Sequence, residues 1–188
     1  MKFLLRIPAI IVLSAMYAAA FTQTVTLYPL HNPVTRKYDE GKACFSFKSG
    51  LLKEVTKKDW DLGYGFLRIS EQDWFTVNPS RESRSVIKDL GELRWEDSFA
   101  VPALEPLPVL PPGKQREFSV DSSADTHKQW ASTTNIFAKV ELGHIYAIHV
   151  KDDTADFYVL FRVDDFEQNK RCTISWRVTP SPRPAEKQ

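Results

Sequence analysis

The side chains best suited to chemistry in this chain are the histidines His31, His127, His144 and His149 and the cysteines Cys44 and Cys172. Zinc hydrolysis asks for two histidines one helical turn apart, as in H-E-x-x-H, and none of these four stands in that spacing or a comparable one. His144 and His149 lie an odd number of positions apart, so on a strand they point to opposite faces. No serine sits in a G-x-S-x-G context and neither cysteine has the setting of a nucleophile, so no catalytic residue is predicted and the chain reads as a non-enzyme. Asp152-Asp153 and Asp164-Asp165 offer paired carboxylates. Without the D-x-[DN]-x-[DN]-G spacing of a calcium loop they read as solvated turn charges, and no metal site is predicted. Aromatic rings are the more informative feature, with 5 Trp, 12 Phe and 6 Tyr. Most must pack in a core, but a β structure rich in rings can also wall a pocket for a flat apolar ligand.

The elements that would position these residues are strands. Phe157, Val159, Phe161 and Val163 alternate with Tyr158, Leu160 and Arg162, and Cys172, Ile174, Trp176 and Val178 alternate with Thr173, Ser175 and Arg177. A period of two marks half-buried antiparallel strands. Residues 164–171 fit a hairpin loop, and residues 144–150 form an earlier strand of the same meander. Residues 136–140 add a short strand closed by a turn at Glu141-Leu142-Gly143. In the N-terminal half, Ala43, Phe45 and Phe47 alternate with Cys44, Ser46 and Lys48, Ser49-Gly50 turns the chain, and residues 64–69 resume an extended aromatic pattern. Residues 101–113, with five prolines, exclude a helix or a central strand and read as a connector or a lid. The predicted fold is all-β, mostly antiparallel, with few or no helices beyond the leader described next.

Residues 1–20 carry a basic start, an apolar run at 7–16 and the small residues Ala18-Ala19-Ala20, the pattern of a cleavable signal peptide. The apolar run is shorter than the roughly 20 residues that span a bilayer, and no later stretch approaches that length. The expectation is an exported protein, periplasmic or secreted after cleavage near Ala20, with one domain at 21–178 and a disordered Pro-rich tail at 179–188. The 25 basic and 24 acidic residues lose Lys2 and Arg6 with the leader, and this balance gives no electrostatic case for nucleic acid or an anionic membrane surface. In an exported chain, Cys44 and Cys172 are candidates for a disulfide tying the first clear strand to the last, the alternative being two separate buried thiols. Cys172 falls on the apolar face of its strand and Cys44 opposite two phenylalanines, so a bridge needs a bulge or a second covered face.

In order and spacing, several segments resemble the HmuY-like family of exported bacterial haem-binding proteins. Phe45-Ser46-Phe47-Lys48-Ser49-Gly50 followed by Asp59-Trp60-Asp61-Leu62 is similar to the family's opening strand, turn and Trp-Asp motif. Val86-Ile87 and Ala100-Val101-Pro102 resemble its middle, and residues 142–148, 157–160 and 174–176 its end. The resemblance implies an all-β fold and a tetrapyrrole pocket, with haem or a related flat ligand held by axial His or Met side chains. Met1 and Met16 leave with the leader. His127 alone lies in the matching central stretch, His144 is the reserve ligand, and the partner position near 93–99 offers only Trp95. The lipid-attachment cysteine of many members is missing. Two functions from different classes follow: an exported binding protein for a flat apolar ligand such as haem, or a structural and protein-interaction module, such as an accessory subunit of an envelope complex, that has lost the ligand.

Overall fold

The computed structural model describes residues 22–30, 41–57, 59–67, 72–78, 80, 82–97, 99–109, 111 and 135–182. Residues 1–21, which include the expected leader, together with His31, His127 and residues 183–188, lie outside the described residues. The described residues form ten strands and no helix: β1 (Gln23–Leu27), β2 (Cys44–Ser46), β3 (Leu51–Lys53), β4 (Leu62–Leu67), β5 (Gln72–Val77), β6 (Val86–Glu92), β7 (Phe137–Lys139), β8 (His144–Lys151), β9 (Asp156–Glu167) and β10 (Arg171–Thr179). The chain is all-β, as its alternating pattern predicts.

Two five-stranded sheets, β1-β10-β9-β8-β6 and β3-β2-β4-β5-β7, are antiparallel throughout. Their facing sides supply one core. Phe45, Leu62, Tyr64, Phe75 and Val77 come from the second sheet, and Tyr146, Ile148, Val159, Phe161, Ile174 and Trp176 from the first. Phe161, with no exposed surface, sits edge-on to Phe75 with centroids 5.0 Å apart and stacks on Tyr146 at 4.9 Å. Burying each such side chain contributes about 1.5–3 kcal/mol from apolar area, and well-oriented ring pairs add to it. The sheets also meet by backbone bonds at both margins. Ile87 N–H donates to Asn135 O at 2.6 Å on one side, and Tyr28 N–H donates to Lys42 O at 3.1 Å on the other.

Three sequence expectations need correction. First, β8 and the middle of β9 are not half-buried. The other face of β8 and β9, with Ile145, Ala147, Tyr158 and Leu160, is covered by a strap that brings Trp95, Phe99, Val101, Leu104 and Leu107 across it. The Pro-rich stretch is thus a cover for the first sheet. Tyr158 grips it, its hydroxyl accepting from Leu104 N–H at 3.0 Å and donating to Leu104 O at 3.2 Å. Second, the loop between β9 and β10 is shorter than predicted, because residues 165–167 pair with β10 beyond a bulge at Asp164 and only Gln168–Lys170 turn. Asn169 adopts φ 63°, a left-handed conformation that asparagine tolerates better than most residues, and Asp165 pairs with Arg171 at 2.7 Å across the extended ends.

Third, Cys44 and Cys172 do not form a disulfide: both are free and buried. Cys172 lies in the core between the sheets, while Cys44 lies on the outer face of the second sheet with Ala43 and Trp60. The backbone of the second sheet separates them. Of the two devices that the parity of Cys44 allows, a bulge or a second covered face, the fold uses the second to bury an unbridged thiol.

Candidate functional site

The outer face of the second sheet carries an apolar groove, and strand register explains it. One outward row runs Lys53, Cys44, Gly63, Thr76, Phe137 across β3, β2, β4, β5 and β7. The next runs Gly65, Trp74, Lys139 across β4, β5 and β7. On β4 the core-facing Leu62 and Tyr64 alternate with Gly63 and Gly65, so the strand presents bare backbone outward between taller neighbours. The resulting cavity is about 220 Å³, and Trp60, Trp74, Leu30, Cys44, Thr76 and Phe137 wall it around the two glycines.

Trp60 is set by the segment that enters β4. Its indole N–H donates to Val55 O at 3.2 Å, and its carbonyl accepts from Asn78 Nδ2 at 2.8 Å. The next residue, Asp61, buries its carboxylate against the Phe47 N–H at 2.7 Å, locking the turn after β2 to the start of β4. Burial raises the Asp61 pKa, an effect the Phe47 N–H partly offsets. Among the described residues, no carboxylate, lysine, arginine or histidine lines the groove. Its one thiol, Cys44, is pushed up to about 12 by burial, so it stays protonated and contributes apolar surface instead of a nucleophile or a metal ligand.

A second hollow of about 300 Å³ lies on the other side of Trp60's chain segment, among Asp59, Asp61, Asn78, Glu82, Asp152 and Asp153. Two of its carboxylates are already engaged. Asp59 pairs with Lys53 at 2.6 Å, which holds its carboxyl below the usual range, and Asp152 accepts from Thr154 N–H at 2.6 Å. Asp164 pairs with Arg162 at 2.7 Å. Among the described residues, no group of three or more His, Cys, Asp or Glu side chains is placed to hold a metal ion.

Neither of the two described histidines lines the groove. His144 opens β8 in the first sheet, and its Nδ1 lies 3.0 Å from Asp89 Oδ2 on β6. His149, on the opposite face as its parity requires, is buried beneath the strap. Its Nδ1 is 2.9 Å from Leu104 O, its Nε2 2.8 Å from Asp156 Oδ1, and its ring stacks on Tyr158 at 4.3 Å. Trp95, in the stretch where a second axial ligand was sought, donates its indole N–H to Ser175 Oγ at 3.2 Å and lies under the Arg177 guanidinium at 4.5 Å. These residues fasten the strap. The groove itself was not foreseen, although the signal stands in Leu62-Gly63-Tyr64-Gly65, where glycines at period two empty one face of a strand. Compared with known proteins, the chain matches no family model, no curated protein and no solved structure.

Proposed function

We propose that this chain is an exported, non-enzymatic binding protein whose ligand presents a flat apolar ring to the groove on the outer face of the second sheet. The groove carries the reading: two indoles and a strip of glycine backbone surround a cavity that no charged side chain lines among the described residues. At about 220 Å³ it falls below the roughly 300–1,000 Å³ of sites for drug-sized ligands, so it suits one ring system or one edge of a larger one. Apolar burial contributes about 25 cal/mol per Å² of surface removed from water, and indole faces favour aromatic partners in offset or edge-on contact.

Haem belongs to this ligand class as a flat ring with an apolar edge. His144 is held by Asp89 in the other sheet, so axial ligation would fall to His127. The test is titration of the purified protein with N-phenyl-naphthylamine, a neutral two-ring probe that brightens on leaving water, and in parallel with haemin. A saturable rise in probe emission with quenching of tryptophan is expected. A saturable shift in the haemin Soret band that His127→Ala abolishes would extend the reading to iron ligation. No saturable response to either compound would overturn the reading in favour of a protein-interaction module.

A further inference from the structure

We infer that Gly65 is the specificity-determining position of the groove, and that the ligand's ring lies flat against the β4 backbone there, beside Trp74. This inference rests on the binding reading above.

The two glycines on the outer face of β4 are there for different reasons. A Cβ at Gly63 would stand 3.0 Å from Thr76 Cγ2 and 3.3 Å from the Trp60 ring, so packing within the fold already excludes a side chain at that position. At Gly65, no heavy atom of the described residues lies within 4 Å of where a Cβ would stand. Nor does its backbone demand glycine: positive φ occurs at Gly50, Gly91 and Gly143 and not at Gly65. Glycine weakens a strand interior, where β-branched and aromatic residues do best. Among the described residues, neither packing nor backbone conformation compensates for that weakness at Gly65. What a glycine supplies there is access. Its bare peptide lies level with the groove floor, opposite Trp74 in register, and a planar group can approach to van der Waals contact, about 3.5–4 Å.

The same geometry defines the ligand class. The Thr76 hydroxyl already donates to Val77 O at 3.0 Å, and the Trp60 indole N–H is taken by Val55, so these polar groups of the wall are occupied within the chain. The ring is therefore unsubstituted by charge on its buried edge, and it is planar, since branched or puckered skeletons cannot lie on a strip of backbone between two indoles.

The test compares the wild type with Gly65→Val and Gly65→Ala by N-phenyl-naphthylamine titration and urea denaturation. Valine at 65 is expected to leave the denaturation midpoint unchanged or raised, because the position is open and valine favours strands, and to weaken probe affinity at least about tenfold, the usual effect of extra methyl groups in a fitted apolar pocket. Alanine should fold like the wild type and weaken binding less, so it reports even if valine impairs folding. Equal affinity in all three proteins would overturn the assignment of Gly65 while leaving the binding reading intact. A wild type that binds neither the probe nor haemin would overturn both.

Discussion

Replacing Asp73 by asparagine should stabilise the protein, by an amount that grows with pH. Asp73 projects from β5 into the core and is 2 % exposed. Its Oδ2 accepts from the Tyr64 hydroxyl and from the Asn169 N–H, each at 2.8 Å, tying β4 and β5 to the turn between β9 and β10. Its Oδ1, and the Oδ1 of Asn169, are buried without a hydrogen-bond partner among the described residues. Burial raises the Asp73 pKa, and the two hydrogen bonds only oppose that. An acid whose folded pKa is raised keeps its proton in the folded chain after the unfolded chain has released it. Stability is then full below the unfolded value near 3.9 and falls by about 1.4 kcal/mol per pH unit until the folded pKa is passed.

Asparagine has the same shape and keeps an acceptor for Tyr64 and Asn169. It removes the charge and exchanges a partnerless acceptor for an N–H donor. Avoiding ionisation of this buried carboxyl stabilises the variant at neutral and alkaline pH, and an amide N–H left without an acceptor would subtract about 1–3 kcal/mol at every pH. Urea denaturation of Asp73→Asn and the wild type at about pH 4 and about pH 8 measures both parts. The variant should be more stable at the higher pH, with a smaller gap at the lower. Destabilisation at both pH values, or a gap independent of pH, would refute the reasoning.

Other features give firm expectations. Thiol labelling in denaturant without reductant should modify both Cys44 and Cys172, and reductant should leave the denaturation midpoint where it was, whereas loss of a bridge would shift it by about 2–5 kcal/mol. Tyr158→Phe leaves the buried Leu104 N–H without its acceptor, so it should cost about 1–3 kcal/mol and speed proteolysis of the strap relative to the strands.

Strands were legible wherever one face stays apolar. Residues 157–163 and 172–178 announce β9 and β10, and the Trp60-Asp61 pair leads into β4. Less legible was anything that depends on two segments meeting. Leu104 and Val101 lie in a Pro-rich stretch with no period, so their cover over Tyr158 and Leu160 could not be read from spacing, and the polar side of β9 was taken for a solvent face. The bridge between Cys44 and Cys172 was drawn from the compartment and the count of thiols, while the parity of Cys44 already pointed to separate layers. The groove escaped notice because it is made by missing side chains: a search for titratable or ligating residues passes over Gly63 and Gly65, and the walls come from four other segments.

Tryptophan indole N–H resonances in a nitrogen–proton correlation spectrum test the groove most directly, because the four described tryptophans divide between groove, core and strap. On titration with N-phenyl-naphthylamine, the Trp60 and Trp74 signals should move together and saturate, while Trp176 in the core and Trp95 on the opposite face hold still. Movement of Trp95 with Trp60 and Trp74 unchanged, or no movement of any of them, would contradict the placement of the ligand on the second sheet.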